Sequence, residues 1–194
     1  MIPAFLLVFV AVVYRIATGI LVQSGAATWL SNFAPLAAIA LCGAVYFPAK
    51  YKFTVPVLAL LVSDIVLDSY YGARLFDAQM IGRYLALIAV GAMGLLLVRR
   101  ASLKTMLPAT VAGSAIFYFI SNTFSWLSDP GYVKNLAGLF QALTVGLPGY
   151  APTWTFFRNS LVSDLVFTGL FVLAVQYGRS TERARTTSAL SRVA

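Results

Sequence analysis

The chain has 194 residues and a formal net charge of +8; 60% of it is apolar or aromatic and only 10% is charged. Mean hydropathy is +0.86, whereas an ordinary soluble domain is about 25% charged, so this chain cannot clothe a water-facing surface. A single cysteine, Cys42, and the absence of histidine exclude a disulfide scaffold, a zinc site, a thiol–histidine dyad and a Ser-His-Asp triad. What remains is an all-α, polytopic membrane protein, with room for about six spanning helices of roughly 20 residues each.

The first apolar run, 2–22, is broken only by Tyr14 and Arg15. Its uncharged start and internal arginine argue for a retained helix rather than a cleaved leader. Run two, 33–47, is alanine-rich and closed by Pro48. Run three, 53–67, carries Pro56 in its first turn, where proline is tolerated, and Asp64 near its end. Runs four, five and six cover 81–98, 106–126 and 161–177. Runs two and three are short for a span, so they should tilt, draw in loop residues or be capped by neighbouring protein.

The connections alternate in character. Residues 48–52 and 99–104 are short and basic, with Lys50, Lys52, Arg99, Arg100 and Lys104. Residues 23–32 are uncharged, 68–82 are mixed, and 128–159 form a long aromatic segment broken by Pro130, Pro148 and Pro152. The tail 179–194 is basic, with Arg179, Arg183, Arg185 and Arg192, and is expected to fray. Basic residues in short clusters between apolar runs read as a topology signal, not a nucleic-acid surface. Lysine and arginine mark the cytoplasmic side. A six-helix domain over 1–178 therefore has both termini and the basic tail in the cytoplasm and its three other loops outside.

One echo stands out: Leu61-Val62-Ser63-Asp64-Ile65-Val66 returns as Leu161-Val162-Ser163-Asp164-Leu165-Val166. It fits either an internal repeat, common among transporters, or separate use of Ser-Asp at helix ends.

Charges at membrane depth cost a few kcal/mol each, and Arg15, Asp64 and Asp164 are placed to incur that cost. Arg15 lies about seven residues, or roughly 10 Å at 1.5 Å per residue, before the end of run one. In the expected topology all three fall at a similar depth below the outer surface. Arginine cannot shed its proton, so an Arg15–Asp64 or Arg15–Asp164 pair is predicted. Such a pair either fixes helix registry or forms the floor of an outward-facing polar pocket.

Asn32 and Asn159 stand at the mouths of runs two and six, where each reads first as an N-cap and second as a ligand contact. Ser121 and Asn122, followed by Phe124 and Trp126, lie near the outer end of run five. Apolar walls with a few placed polar groups are the usual make-up of a small-molecule pocket. In run two, Ala34 and Ala38, with Ala37, Ala40 and Ala44, give small-xxx-small spacing, which lets helices approach closely in lipid. The partner helix is either in the same chain or in another subunit. Cys42 reads as a small apolar filler.

Ser31-Asn32-Phe33-Ala34-Pro35-Leu36, Gly43-Ala44, Val55-Pro56 and Leu61-Val62-Ser63-Asp64, with Arg15 upstream, resemble an uncharacterised family of bacterial six-helix membrane proteins. That family groups with the substrate-binding S components of energy-coupling factor (ECF) vitamin transporters. Ser121-Asn122, Gly138-Leu139 and Phe156-Phe157-Arg158-Asn159-Ser160-Leu161 with Asp164 resemble its second half. The resemblance implies a compact bundle in the bacterial cytoplasmic membrane that binds a vitamin-like molecule near its outer face. It also implies partners: a membrane coupling subunit and two ATPases. Residues 147–155 look like an insertion relative to that family.

The expected function is therefore a substrate-binding subunit for uptake of a small vitamin-like molecule. Arg15, Asn32, Asp64, Asn122, Asn159 and Asp164 are its candidate ligand contacts. No cofactor, metal or catalytic step is expected, and the chain has no phosphate-binding Gly-x-x-x-x-Gly-Lys loop. The alternative is an accessory or scaffold subunit of a larger membrane complex, with a blocked cavity and a partner docked on the alanine-rich run. An intramembrane enzyme would need Asp64 and Asp164 to face one cavity without Arg15 neutralising them.

Overall fold

The computed structural model describes residues 2–190, and all their regular structure is helical. Seven α-helices follow in order: α1 (Ile2–Gln23), α2 (Leu36–Tyr46), α3 (Thr54–Tyr71), α4 (Ala78–Leu95), α5 (Leu103–Ser128), α6 (Leu136–Leu143) and α7 (Thr153–Leu190). Each of the six apolar runs falls on one of these helices. Five helical stretches, all but α2 and α6, are long and apolar enough to cross a membrane.

Helix boundaries follow local chemistry more than hydropathy. Asp77 caps α4, accepting the Met80 N–H at 2.6 Å, and Ser102 with Thr105 forms a capping box on α5. Both helices therefore start three residues before their apolar runs. Helix α3 overruns its apolar stretch through Asp68, Ser69, Tyr70 and Tyr71 and stops at Gly72, whose φ of 66° suits glycine. Helix α7 starts immediately after Pro152, eight residues ahead of run six, because the polar Arg158 and Asn159 interrupt the apolar run without interrupting the helix. It continues past Gly178, where its apolar stretch ends, to Leu190; Arg192 lies outside the described residues. Helix α6 lies inside the segment expected to be loop, started by Asn135, which accepts the Gly138 N–H at 2.9 Å. At eight residues it is too short to register as a hydrophobic run.

Helix α2 is the hub. Every residue from Leu36 to Val45 is buried, and α2 packs against α1, α3, α4, α5 and α7. Its alanines thus serve packing within this chain. Gly94 of α4 comes so close that an added Cβ would lie 3.0 Å from the Leu41 carbonyl oxygen and 3.0 Å from Ala44 Cβ. A helix apolar on all sides belongs in the middle of a bundle. The outer helices show the reverse of a soluble surface: Phe9 and Leu6 of α1, Val62 of α3, Leu85 of α4 and Leu173 of α7 are large, apolar and exposed. A patch of that extent is tolerable facing lipid, not water.

Residues Phe5 of α1 and Phe47 after α2 stack at 4.9 Å, and Phe5 also meets Tyr51 edge-on. The start of α1 therefore shares one end of the bundle with the basic connections. At the opposite end are the close of α1, α3 and α5 and the start of α2, α4 and α7.

Gly82 marks the closest approach of α4 to α5, where a Cβ would run into the side chain of Phe124. Gly82→Ala should lower stability by about 1–3 kcal/mol, read as a depressed thermal unfolding midpoint in detergent. Gly169→Ala, with nothing within 4 Å, should leave the midpoint near that of the parent.

Candidate functional site

A helix of 11 residues is about 16 Å long, far less than the roughly 30 Å of a bilayer's apolar core. The N-terminus of α2 thus ends inside the bundle, and its first N–H groups need acceptors in an apolar setting. Pro35, the residue before it, makes no side-chain cap. The acceptor comes from α7: Asp164 Oδ1 takes the Ala38 N–H at 2.9 Å, and its Oδ2 takes the Ser114 hydroxyl from α5 at 2.7 Å. A carboxylate there also meets the positive end of the helix dipole. Asp164 is the cap that Asn32 was expected to provide. Asn32 instead turns the chain in a left-handed conformation, φ 57°, three residues earlier.

Of the two pairings open to Arg15, the structure makes the one with Asp64, at 2.7 Å between Nη2 and Oδ1. Arg15 Nη1 also donates to Ser63 Oγ. A second cation, Arg83 of α4, reaches Asp64 Oδ2 at 3.5 Å. The side chain of Asp64 is 4% exposed, against 14% for Arg15 and 25% for Arg83. The carboxylate is therefore at the back and the two guanidiniums in front. Arg83 Nε and the Tyr84 hydroxyl are buried without a hydrogen-bond partner among the described residues, each a cost of about 1–3 kcal/mol.

Above the α2 N-terminus lies a cavity of about 240 Å³. Its floor is Ala34, Leu36 and Ala37. Arg15 and Asp164 face it from α1 and α7, and Gln79 and Arg83, one turn apart, from α4. Helix α5 contributes Ser114, Tyr118, Ser121, Asn122 and Ser125, spaced three and four apart on one stripe. A second cavity of about 270 Å³ adjoins it, sharing Arg15, Asn32, Ala34 and Phe156, and its wall also includes Val22, Leu30 and Leu67. Each alone falls short of the roughly 300 Å³ of a small-molecule pocket; as two lobes of one site they reach it.

Four of the six candidate residues, Arg15, Asn32, Asn122 and Asp164, thus meet at one cavity. Asp64 stands behind Arg15. Asn159 is not part of the wall and is no cap, being well inside α7. Its amide donates to the carbonyls of Trp29 and Ser31 at 2.8 and 2.9 Å, while its oxygen accepts from Arg158. With Ser160, which donates to Asn32 O at 2.8 Å, it pins the α1–α2 connection to α7. Asp64 and Asp164 form no acid–base dyad: Arg15 and Arg83 hold the first, and a helix end with a hydroxyl holds the second.

Sequence reasoning missed Arg83, Ser114, Ser125 and Gln79. The stripe 114, 118, 121, 122, 125 was visible as a run of hydroxyls and an amide at helical spacing in an otherwise apolar helix. Arg83 was hidden by standing near the start of its run, where an arginine ordinarily reaches the interface.

The chain belongs to a family of unknown function, DUF6580, which matches residues 1–185. No curated protein and no solved structure matches it.

Breaking one side of a buried ion pair strands the other charge, at a cost of about 3–5 kcal/mol. Asp64→Leu should accordingly depress the unfolding midpoint strongly. Arg15→Met combined with Asp64→Leu should restore a large part of the loss, and equal midpoints for the single and double variants would show that the pair is not coupled.

Proposed function

We propose that this protein is a substrate-binding subunit for uptake of a small vitamin-like molecule, similar in kind to an ECF S component. The observation that carries the reading is the polar cavity walled by α1, α2, α4, α5 and α7 inside an otherwise apolar bundle. Groups of this kind are costly at membrane depth and ordinarily mark a substrate path or site. The scaffold reading has less support, because the alanine-rich face it would use is consumed by packing within the chain.

In this reading the bundle is six-helical in the bacterial cytoplasmic membrane, with α2 as a short buried member covered at both ends by protein. The basic connections face the cytoplasm, both termini lie there, and the cavity opens toward the outside. The chain binds and positions its substrate and carries out no bond chemistry. Energy for uptake comes from partners, a coupling subunit with ATPases or other membrane subunits, engaged at the cytoplasmic end.

Two measurements test this. Native mass spectrometry of the purified full chain should show a bound small molecule that is displaced when excess of that molecule is added; protein free of any ligand, and inert to a metabolite extract, would overturn the proposal. For orientation, Ala73→Cys should react with a membrane-impermeant maleimide in intact cells and Ala101→Cys only after permeabilisation. The native Cys42 is fully buried and gives a silent background. The reverse pattern would invert the topology.

A further inference from the structure

Two cations and one carboxylate do not balance. Arg15 and Arg83 both line the cavity, and between them they have only Asp64, which is behind the wall. The other carboxylate on the wall, Asp164, has both oxygens committed, one to the Ala38 N–H and one to Ser114. It answers the positive end of α2 rather than either arginine. Asp68, one turn beyond Asp64, is within electrostatic reach of both guanidiniums but is not a wall residue and makes no ion pair among the described residues. Arg83 is the least satisfied member: among the described residues its one bond, to Asp64, is long and its Nε has no acceptor.

From this imbalance we infer that the cavity selects a small organic monocarboxylate, whose carboxylate group docks at the guanidiniums of Arg83 and Arg15. The inference rests on the substrate-binding reading and names its ligand class. Arg83 is left with donors on the cavity side that no direct ion pair closer than 3.5 Å takes up, and an anionic ligand group can take them up. A carboxylate matches the planar donor fork of a guanidinium with two oxygens at once. A neutral amide offers only one acceptor there, and an amine would be repelled. Ser121, Asn122 and Ser125 provide donors and acceptors for the rest of the polar end, and Val22, Leu30 and Leu67 of the second lobe give a hydrocarbon or ring an apolar wall to rest on.

The test uses the full chain in lipid nanodiscs equilibrated with sets of matched shape: benzoate, benzamide and benzylamine, and hexanoate, hexanamide and hexylamine. Retained compounds are quantified by mass spectrometry. The carboxylates should be retained at least tenfold over their amides, with the amines lowest. Arg83→Gln should bring the carboxylate-to-amide ratio close to one, and Arg83→Lys should keep part of the preference. If Arg83→Gln does not fold, the parent protein's own ratio decides. Amides or amines retained as well as carboxylates would overturn the charge assignment while leaving a binding protein. Retention of none of the six by the parent overturns this inference; if no co-purifying or extract-derived molecule binds either, the substrate-binding reading falls with it.

Discussion

The architecture depends on one helix being too short. Helix α2 measures about 16 Å, while its neighbours α4 and α5, at 18 and 26 residues, measure about 27 and 39 Å. When a short helix is surrounded by long ones, the space beyond its end must be filled by side chains, by loop or by something else. Here the loop from Ser24 to Pro35 fills part of it, and the remainder is the cavity. The exposed amide groups at the α2 terminus cannot be left without acceptors in an apolar interior, and Asp164 meets that demand from across the bundle. Floor, wall and carboxylate thus follow from one mismatch in length.

The repeated hexapeptide shows how context assigns a role. In the first copy Ser63 takes a hydrogen bond from Arg15 and donates back to its own helix, while Asp64 binds two cations. In the second copy, among the described residues, Asp164 binds no cation and the Ser163 hydroxyl is buried with no partner. Hexapeptides that differ only in Ile65 against Leu165 hold a cation network in one helix and cap another helix in the other. What the copies share is position: each carboxylate points inward about two to three turns from the cavity end of its helix, where burial obliges it to find a partner. Convergent placement explains the echo without a duplication.

Much of the fold was legible in the sequence because its strongest signal is local. Each apolar run falls on a helix, five of the seven helices being long and apolar enough to span, and a buried arginine among two aspartates predicted an ion pair, of which one alternative formed. The misreadings have a common cause. Asn32 satisfied every local criterion for a cap, but the real cap is 126 residues from its helix end, and nothing near Ala38 announces it. Asn159 looked like a cap because the apolar run ended beside it, whereas a helix in a membrane protein continues through polar residues wherever protein rather than lipid receives them. Helix α6 was missed for the converse reason, being helical without being long. The cavity was half legible: Arg15, Asn122 and Asp164 were marked by cost, while Ser114 and Ser125 are cheap residues whose meaning lies only in their shared stripe.

The layout of rigid and adjustable parts bears on how such a site would discriminate. Its floor is a fully buried helix and its α5 wall is a continuous helix, so neither deforms without disturbing the core. Its remaining boundary, the α1–α2 connection, is irregular and attached by a few identifiable bonds, chiefly those from Asn159 and Ser160 to Trp29, Ser31 and Asn32. Asn32 and Phe156 belong to both lobes, so any movement of this connection alters both volumes together. The charge pattern, by contrast, is fixed on α1, α3 and α4 by an ion pair too buried to rearrange cheaply. The part of the boundary held by few bonds and the part fixed by buried charge thus lie on different elements of the bundle.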